Sequence, residues 1–232
     1  MRLTVTSHVT LDGVMQSNGK PEPELNDDFA QGGWQVPYLD EDLGKLVEDW
    51  MAAADAFLMG RRTYELFAGH WALITDPADV LAAKLNGMPQ YVVSTTLRQL
   101  DWSNSSLLQG DDVFEAVAQL KRQPGNELQV HGSAALVRTL MERELIDEYR
   151  VLIHPVVLGN GKRLFAEGTP PTALTLVDTM TTSRRVVAHV YQPSGKPHDG
   201  SVSLKQEGDV VRSESAWRNR RRRNPRGARP RS

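Results

Sequence analysis

The sequence predicts an α/β domain with a mostly parallel central sheet, an antiparallel edge and helices on both faces. Three observations carry that prediction. Short apolar runs of strand type alternate with segments of helical period from Leu3 to Val157. The last two extended runs are joined by Thr181-Thr182-Ser183, as in a hairpin. The composition, 40% hydrophobic and 24% charged over 232 residues, supports a core of ordinary size.

The elements follow in order. Leu3, Val5 and Ser7 alternate with Thr4, Thr6 and His8, the period of a strand. Residues 11–39 are rich in Gly, Pro, Asn and Asp and read as a long loop. Leu43, Leu46, Val47, Trp50, Met51 and Ala54 keep helical spacing. Ala56-Phe57-Leu58-Met59 is a buried-strand run closed by Gly60, and Thr63 to Phe67 is helical again. Pro77 to Asn86 reads as a helix ended by Gly87, and Tyr91 to Ser94 as a strand. Asp111 is placed to cap a helix with Val113, Val117 and Leu120 on one face. Leu128 to His131 is a strand that turns at Gly132 into a helix lined by Leu136, Val137, Leu140 and Met141. Tyr149 to Val157 reads as a strand whose Pro155 suggests an edge or a bulge. Ala173 to Met180 and Arg185 to Tyr191 form the hairpin.

Composition excludes several chemistries. With no cysteine there is no disulfide framework, no thiolate nucleophile and no cysteine-ligated metal. The apolar runs fall short of the ~18 residues of a membrane span, and Met1 to Val5 lacks a signal-peptide layout, so a cytoplasmic protein with no membrane partner is expected. Charge is distributed unevenly. Residues 1–195 hold 16 Lys+Arg and 25 Asp+Glu, while residues 196–232 hold 11 and 4. The acidic body is a poor nucleic-acid ligand, and contact with nucleic acid is open only to the tail. We therefore divide the chain into a domain over residues 1–194 and a disordered basic tail over residues 195–232, with Arg220 to Arg223 as its densest block.

In open α/β sheets ligands sit beyond the carboxyl ends of the strands, so strand-to-helix turns are the informative places. In Met59-Gly60-Arg61-Arg62-Thr63-Tyr64-Glu65 a glycine, two arginines and a threonine occupy a helix start, where free amides and the dipole favour an anion. This suits phosphate groups; it also suits an ordinary helix start with surface arginines. Val130-His131-Gly132-Ser133-Ala134-Ala135-Leu136 is a second turn of small residues, fit for a pyrophosphate or for close helix–sheet packing. Ser94-Thr95-Thr96 offers hydroxyls to a ribose phosphate, or begins a turn. Neither G-x-G-x-x-G nor G-x-x-x-x-G-K-[ST] occurs.

Taken together, these residues resemble the dihydrofolate reductase-like superfamily. They are most similar to the reductase domain of bacterial riboflavin-biosynthesis deaminase–reductases and its stand-alone relatives. Thr10-Leu11-Asp12-Gly13-Val14, Met59 to Glu65, His131 to Leu136, Leu145 to Glu148 and Pro155 to Phe165 carry the likeness. It implies an NADPH-dependent reductase that delivers hydride to a small pteridine- or pyrimidine-like ring, acting as a homodimer. By position, Gly60, Arg61, Arg62 and Thr63 would hold cofactor phosphates. Ser94 and Thr95 would lie near the adenosine 2′-phosphate, and Gly132, Ser133 and Ala134 near the pyrophosphate. Val9 and Thr10 would border the nicotinamide.

Two departures matter. Dihydrofolate reductases keep a carboxylate on the first long helix, and residues 39–54 offer no clear equivalent, which leaves Asp12 as the candidate catalytic or substrate-binding acid. Asp before Gly is also a common turn pair. Without cysteine the zinc-deaminase signature is lacking, so only the reductase half is expected. Trp34, Phe57 and Phe67 are candidates to line a ring-binding cleft, although aromatics at such positions are commonly core. His8, His131, His154 and His189 show no metal spacing and read as packed histidines. Lys162 and Arg163, beside Gly159-Asn160-Gly161, are available to an anionic substrate. The competing reading is a non-catalytic nucleotide-binding module whose Arg-rich tail contacts RNA or another polyanion.

Overall fold

The computed structural model describes residues 1–16, 19, 29–110, 113–201, 203–207 and 210–214. Asp111 and Arg220 to Arg223 lie outside the described residues, as does much of the loop read over residues 11–39.

The chain divides into two units, Met1–Gly195 and Lys196–Ser232. The first contains strands β1 (Arg2–Thr10), β2 (Ala54–Gly60), β3 (Gln90–Val93), β4 (Ser105–Leu108), β5 (Glu127–His131), β6 (Glu148–His154), β7 (Leu174–Thr181) and β8 (Val187–Pro193). Its helices are α1 (Glu41–Ala52), α2 (Arg61–Ala68), α3 (Val80–Gly87), α4 (Val113–Arg122) and α5 (Ala134–Glu142). The eight strands make one sheet in the order β4-β3-β2-β5-β1-β6-β8-β7. All neighbours are parallel up to β6, and β8 runs antiparallel to both β6 and β7. In the second unit β9 (Ser203–Glu207) and β10 (Val210–Glu214) pair as an antiparallel two-stranded sheet within the segment read from sequence as a disordered tail. Among the described residues no helix is long and apolar enough to cross a membrane.

Among the differences from the sequence reading, two boundaries and one missed strand bear on the layout of the sheet. β6 ends at His154, so Pro155 stands just outside a central strand between β1 and β8 and marks neither an edge nor a bulge. α3 starts at Val80 instead of Pro77, because the Asp79 carboxylate accepts from the Ala82 amide at 2.9 Å and caps the helix there. β4 has no counterpart in the sequence reading; its Ser-Ser-Leu-Leu lacks the apolar length of its neighbours and sits at the sheet edge.

The two faces of the sheet differ in chemistry. On one, Leu3, Val5, Leu128, Val130, Tyr149 and Val151 pack against Val117, Leu120, Leu136, Val137 and Leu140 of α4 and α5. The other is covered by α1, α2 and α3, whose Leu43, Val47, Met51 and Tyr64 pack around Phe57, Met59 and Leu152. Its middle is polar: Thr4, Thr6, Gln129, Arg150 and His154 are buried there. Charge is neutralised in place. Arg150 grips Glu127 with both terminal guanidinium nitrogens, at 2.6 and 2.9 Å, and donates from Nε to Glu148 at 2.9 Å. Arg2 closes the cluster on both glutamates. Burial alone would push Glu127 up, and hydrogen bonds from Arg150 and Gln129 carry it below the usual carboxylate range instead.

Candidate functional site

The β1–β5 ladder ends at Thr6↔His131, while the β1–β6 ladder continues to Thr10↔His154. The Gly132 amide closes the first on the Thr6 carbonyl at 3.2 Å, and the chain then turns away. From β1 the chain proceeds to α1 on the polar face, and from β5 to α5 on the apolar face. A crevice beyond neighbouring parallel strands, where the connections part to opposite faces, is the usual ligand position in such sheets.

Two helices start at this crevice, and neither has a side-chain cap. Gly60 precedes α2 and Ser133 precedes α5; neither helix carries an acidic residue in its first turn. By contrast, α1 and α3 are capped by Asp40 and Asp79. The two open starts touch. A Cβ on Gly60 would collide with the Ser133 hydroxyl and stand 3.2 Å from the Ser133 Cβ. Gly132 and Ser133 are both left-handed, with φ of 76° and 63°, which turns the chain sharply enough for that approach. Ser133, unlike Gly132, carries a steric cost there. A Cβ on Gly132 would come within 3.1 Å of Met15, so the loop after β1 borders the same spot.

Arg61 extends the site along α2. It pairs with Glu65 at 2.7 Å and donates to the Thr96 hydroxyl at 2.9 Å, tying α2 to the turn after β3. Arg62 is exposed at the same helix start, and Thr63 is buried behind it. In the turn after β3, the Ser94 hydroxyl accepts from the amides of Thr96 and Leu97, so it shapes the turn. Thr95 is exposed, and Thr96 is the residue that meets Arg61. Ala134 opens α5, half-buried. The α2 and α5 starts and the turn after β3 are thus joined through the Gly60–Ser133 approach and the Arg61–Thr96 hydrogen bond.

The residues assigned to the nicotinamide side are largely committed to structure. Val9 faces the apolar core. Thr10 accepts from the Val14 amide and donates to Asp12 at 2.6 Å. Asp12, the candidate acid, is held from three sides. Its carboxylate also accepts from the amides of Leu158 and Gly159, at 3.2 and 2.9 Å, and faces Arg163 at 3.6 Å. The Thr10 hydroxyl first, and then those amides, bring its pKa down to about 2. The carboxylate holds the loop after β1 against the loop after β6. Arg163, which donates to the Asp12 and Gly159 carbonyls, belongs to the same clasp.

On the polar face a row of rings leads from the crevice. His131 lies edge-on to Phe57 at 5.4 Å and near Phe67 at 6.4 Å. His8 meets His154 at 3.4 Å between ring nitrogens; His154 is stacked on Tyr38 and edge-on to Trp34. Phe57 is fully buried and supports His131 from the core, so it is corrected from a cleft residue to a packing one. Trp34 is also buried, donates its indole N–H to the Gln16 carbonyl at 2.8 Å, and closes a small core with Val14 and Phe29. Phe67 is half-buried beside His131. Desolvation lowers all three histidines, His8 to about 3 and His131 and His154 to about 4, so all are neutral at pH 7. The carboxylates at the start of α1 are engaged elsewhere: Asp40, its N-cap, and Asp42 hold the β7–β8 turn through the amides of Arg184 and Ser183, and Glu41, Glu48 and Asp49 are exposed. The signal for this row was the polar alternation Thr4-Thr6-His8 and Gln129-His131, which marks a polar stripe on strands covered from both sides.

Comparison with known proteins follows the same lines. The family model of the RibD C-terminal domain matches residues 2–188. The uncharacterized protein YyaP of Bacillus subtilis (strain 168) is 32% identical over 197 residues, covering 84% of this chain and 96% of its own. A second uncharacterized protein of that organism, YwjB, is 29% identical over 167 residues, covering 69% of this chain and 88% of its own. Among solved structures, a putative riboflavin biosynthesis protein from Shewanella sp. PV-4 superposes with a TM-score of 0.63 at 20% identity, over 84% of this chain and 99% of that one. The Thermotoga maritima diaminohydroxyphosphoribosylaminopyrimidine deaminase/5-amino-6-(5-phosphoribosylamino)uracil reductase gives 0.57 at 12% identity, over 83% of this chain and 56% of that one. These structural likenesses show the dihydrofolate reductase-like fold.

Proposed function

The chain belongs to the RibD C-terminal domain family, and on that premise we propose that it is an NADPH-dependent reductase of a small pyrimidine- or pteridine-like ring. The 5-amino-6-(5-phosphoribosylamino)uracil type is the model substrate. The observation that carries this reading is the contact of two uncapped helix starts, at Gly60 and Ser133, beyond the carboxyl ends of adjacent strands. A diphosphate bridge needs two sets of amide donors side by side and a backbone without side chains between them. The residues present fit such a group: glycine where a Cβ would collide, no acidic residue in either first turn, and Arg61 and Arg62 at the α2 start.

Bound there, the dinucleotide supplies the hydride. The protein's share is placement. The α2 and α5 amides would hold the diphosphate, and the residues that line the crevice beyond β1 and β5 would border the rest of the cofactor. Arg61, linked to Thr96, is suited to the extra adenosine phosphate and hence to a preference for NADPH over NADH. Fluorescence titration tests this. Micromolar affinity for NADPH is expected, and Arg61→Ala should weaken NADPH about tenfold while leaving NADH within about twofold. No binding up to millimolar NADPH overturns the proposal.

A further inference from the structure

We infer that His131 is a substrate-recognition residue, a neutral imidazole whose Nδ1 is held open as an acceptor for a ring N–H of the heterocycle. The inference rests on the reductase reading and names the polar group that reads the substrate.

The argument starts two residues away, at Gln129. Its side-chain nitrogen donates to the Trp50 carbonyl at 2.6 Å and to Glu127 Oε2 at 2.7 Å. Both N–H groups of the amide are thereby used, and its orientation is fixed by two obligate acceptors. The remaining atom, Oε1, can only accept, and it lies 2.9 Å from His131 Nε2. His131 Nε2 must therefore carry the proton. Glu127 is in turn held by Arg150 and Arg2, so the relay is anchored by a buried ion cluster that cannot reverse. In a neutral imidazole with its proton on Nε2, Nδ1 is a lone pair. Among the described residues no group donates to it, and His131 is only half-buried, at the mouth of the crevice.

The surroundings fit an N–H donor. Phe67 flanks the ring, and Thr6, paired with His131 in the β1–β5 register, presents a buried hydroxyl without a partner on the same polar face. His8, on that face, is neutral and less basic still. A neutral acceptor at His131 Nδ1, next to apolar rings, suits an uncharged heterocycle with an N–H group in its plane. It replaces the ionic contact that a carboxylate on α1 would offer. Gln129 is a positioning residue here, acting only through the tautomer of His131.

Imidazole 15N spectra of the full chain, labelled at histidine, test the claim. At pH 7 His131 should show a pyrrole-type Nε2 and a pyridine-type Nδ1, and Gln129→Met should mix the two tautomers. Uracil, titrated into the millimolar range, should move the Nδ1 resonance saturably; 1,3-dimethyluracil, the same ring without N–H donors, should not. His131→Leu should weaken uracil about tenfold, and His131→Asn, which can set an amide oxygen at the Nδ1 place, should recover most of that. A proton on Nδ1, or equal binding of the two probes, overturns the inference. NADPH affinity, measured alongside, should not change in the His131 variants. Loss of NADPH binding by the unaltered protein would instead sink the reductase reading and leave the tautomer result standing.

Discussion

Asp12 shows how a single carboxylate can have the position of a catalytic acid and the chemistry of a clasp. Both of its oxygens are occupied, by the Thr10 hydroxyl and the amides of Leu158 and Gly159, and these bonds bring its pKa down to about 2. Asp12→Asn keeps one acceptor but turns an NH2 toward the amide it once received. The variant should lose about 1–2 kcal/mol of stability in urea denaturation at pH 7. Its activity should fall without any change in the shape of the pH–rate profile above pH 5, since a group already ionised there cannot shape it. A profile that loses a limb in this variant would restore Asp12 to the chemistry. The sequence made Asp12 prominent because Asp-Gly follows a strand; what it could not show is that the loop after β6 returns to fill the carboxylate. The same limit applies to Phe57 and Trp34, whose ring type was legible and whose burial was not.

At the scale of elements, the two strand–glycine–helix turns were legible from local pattern alone, because each needs only its own few residues. Their contact was not. It depends on β2 and β5 being neighbours, and those strands are far apart in the chain. Helix caps separate the two kinds of turn, with aspartate at α1 and α3 and no side-chain cap at α2 and α5. β4 escaped notice because an edge strand buries little and so needs little apolar signal. The touching turns lead to a double-variant prediction. Gly60→Ala sets a methyl against the Ser133 hydroxyl, which has to rotate, and 3.2 Å from the Ser133 Cβ, which has to give way slightly, so the two helix starts are disturbed and NADPH affinity should drop about tenfold with a small change in melting temperature. Ser133→Gly removes the colliding side chain and relieves a left-handed φ of 63°. Combined with Gly60→Ala, it should restore most of the affinity. Additive losses in calorimetric titration would show that the two turns act independently.

At the scale of the molecule, the fold places its polar residues on one side of a sheet covered by helices on both sides, and this has a consequence for acid stability. His8, His131 and His154 are lowered from 6.5 to about 3, 4 and 4, chiefly by burial, with mutual repulsion between His8 and His154 adding to the first. Between pH 6.5 and about 4 the unfolded chain binds protons at these sites and the folded chain does not. Stability is therefore fully present above the unfolded value and declines as pH falls through that window. For His154, which has no exposed surface, the loss by pH 5 is about 2 kcal/mol. Asp12 adds a further decline only lower, between about pH 4 and its own value near 2, because its folded pKa is depressed from the ordinary carboxylate range. Urea midpoints measured from pH 8 to pH 4 should stay level to about 6.5 and then fall steadily. His154→Phe removes one of the protonation sites from the unfolded chain while keeping a ring against Tyr38 and Trp34. It should flatten the pH 7 to 5 slope by about 2 kcal/mol. An unchanged slope would mean that His154 is already protonated in the folded protein, and the neutral wall of imidazoles beside the crevice would have to be redrawn.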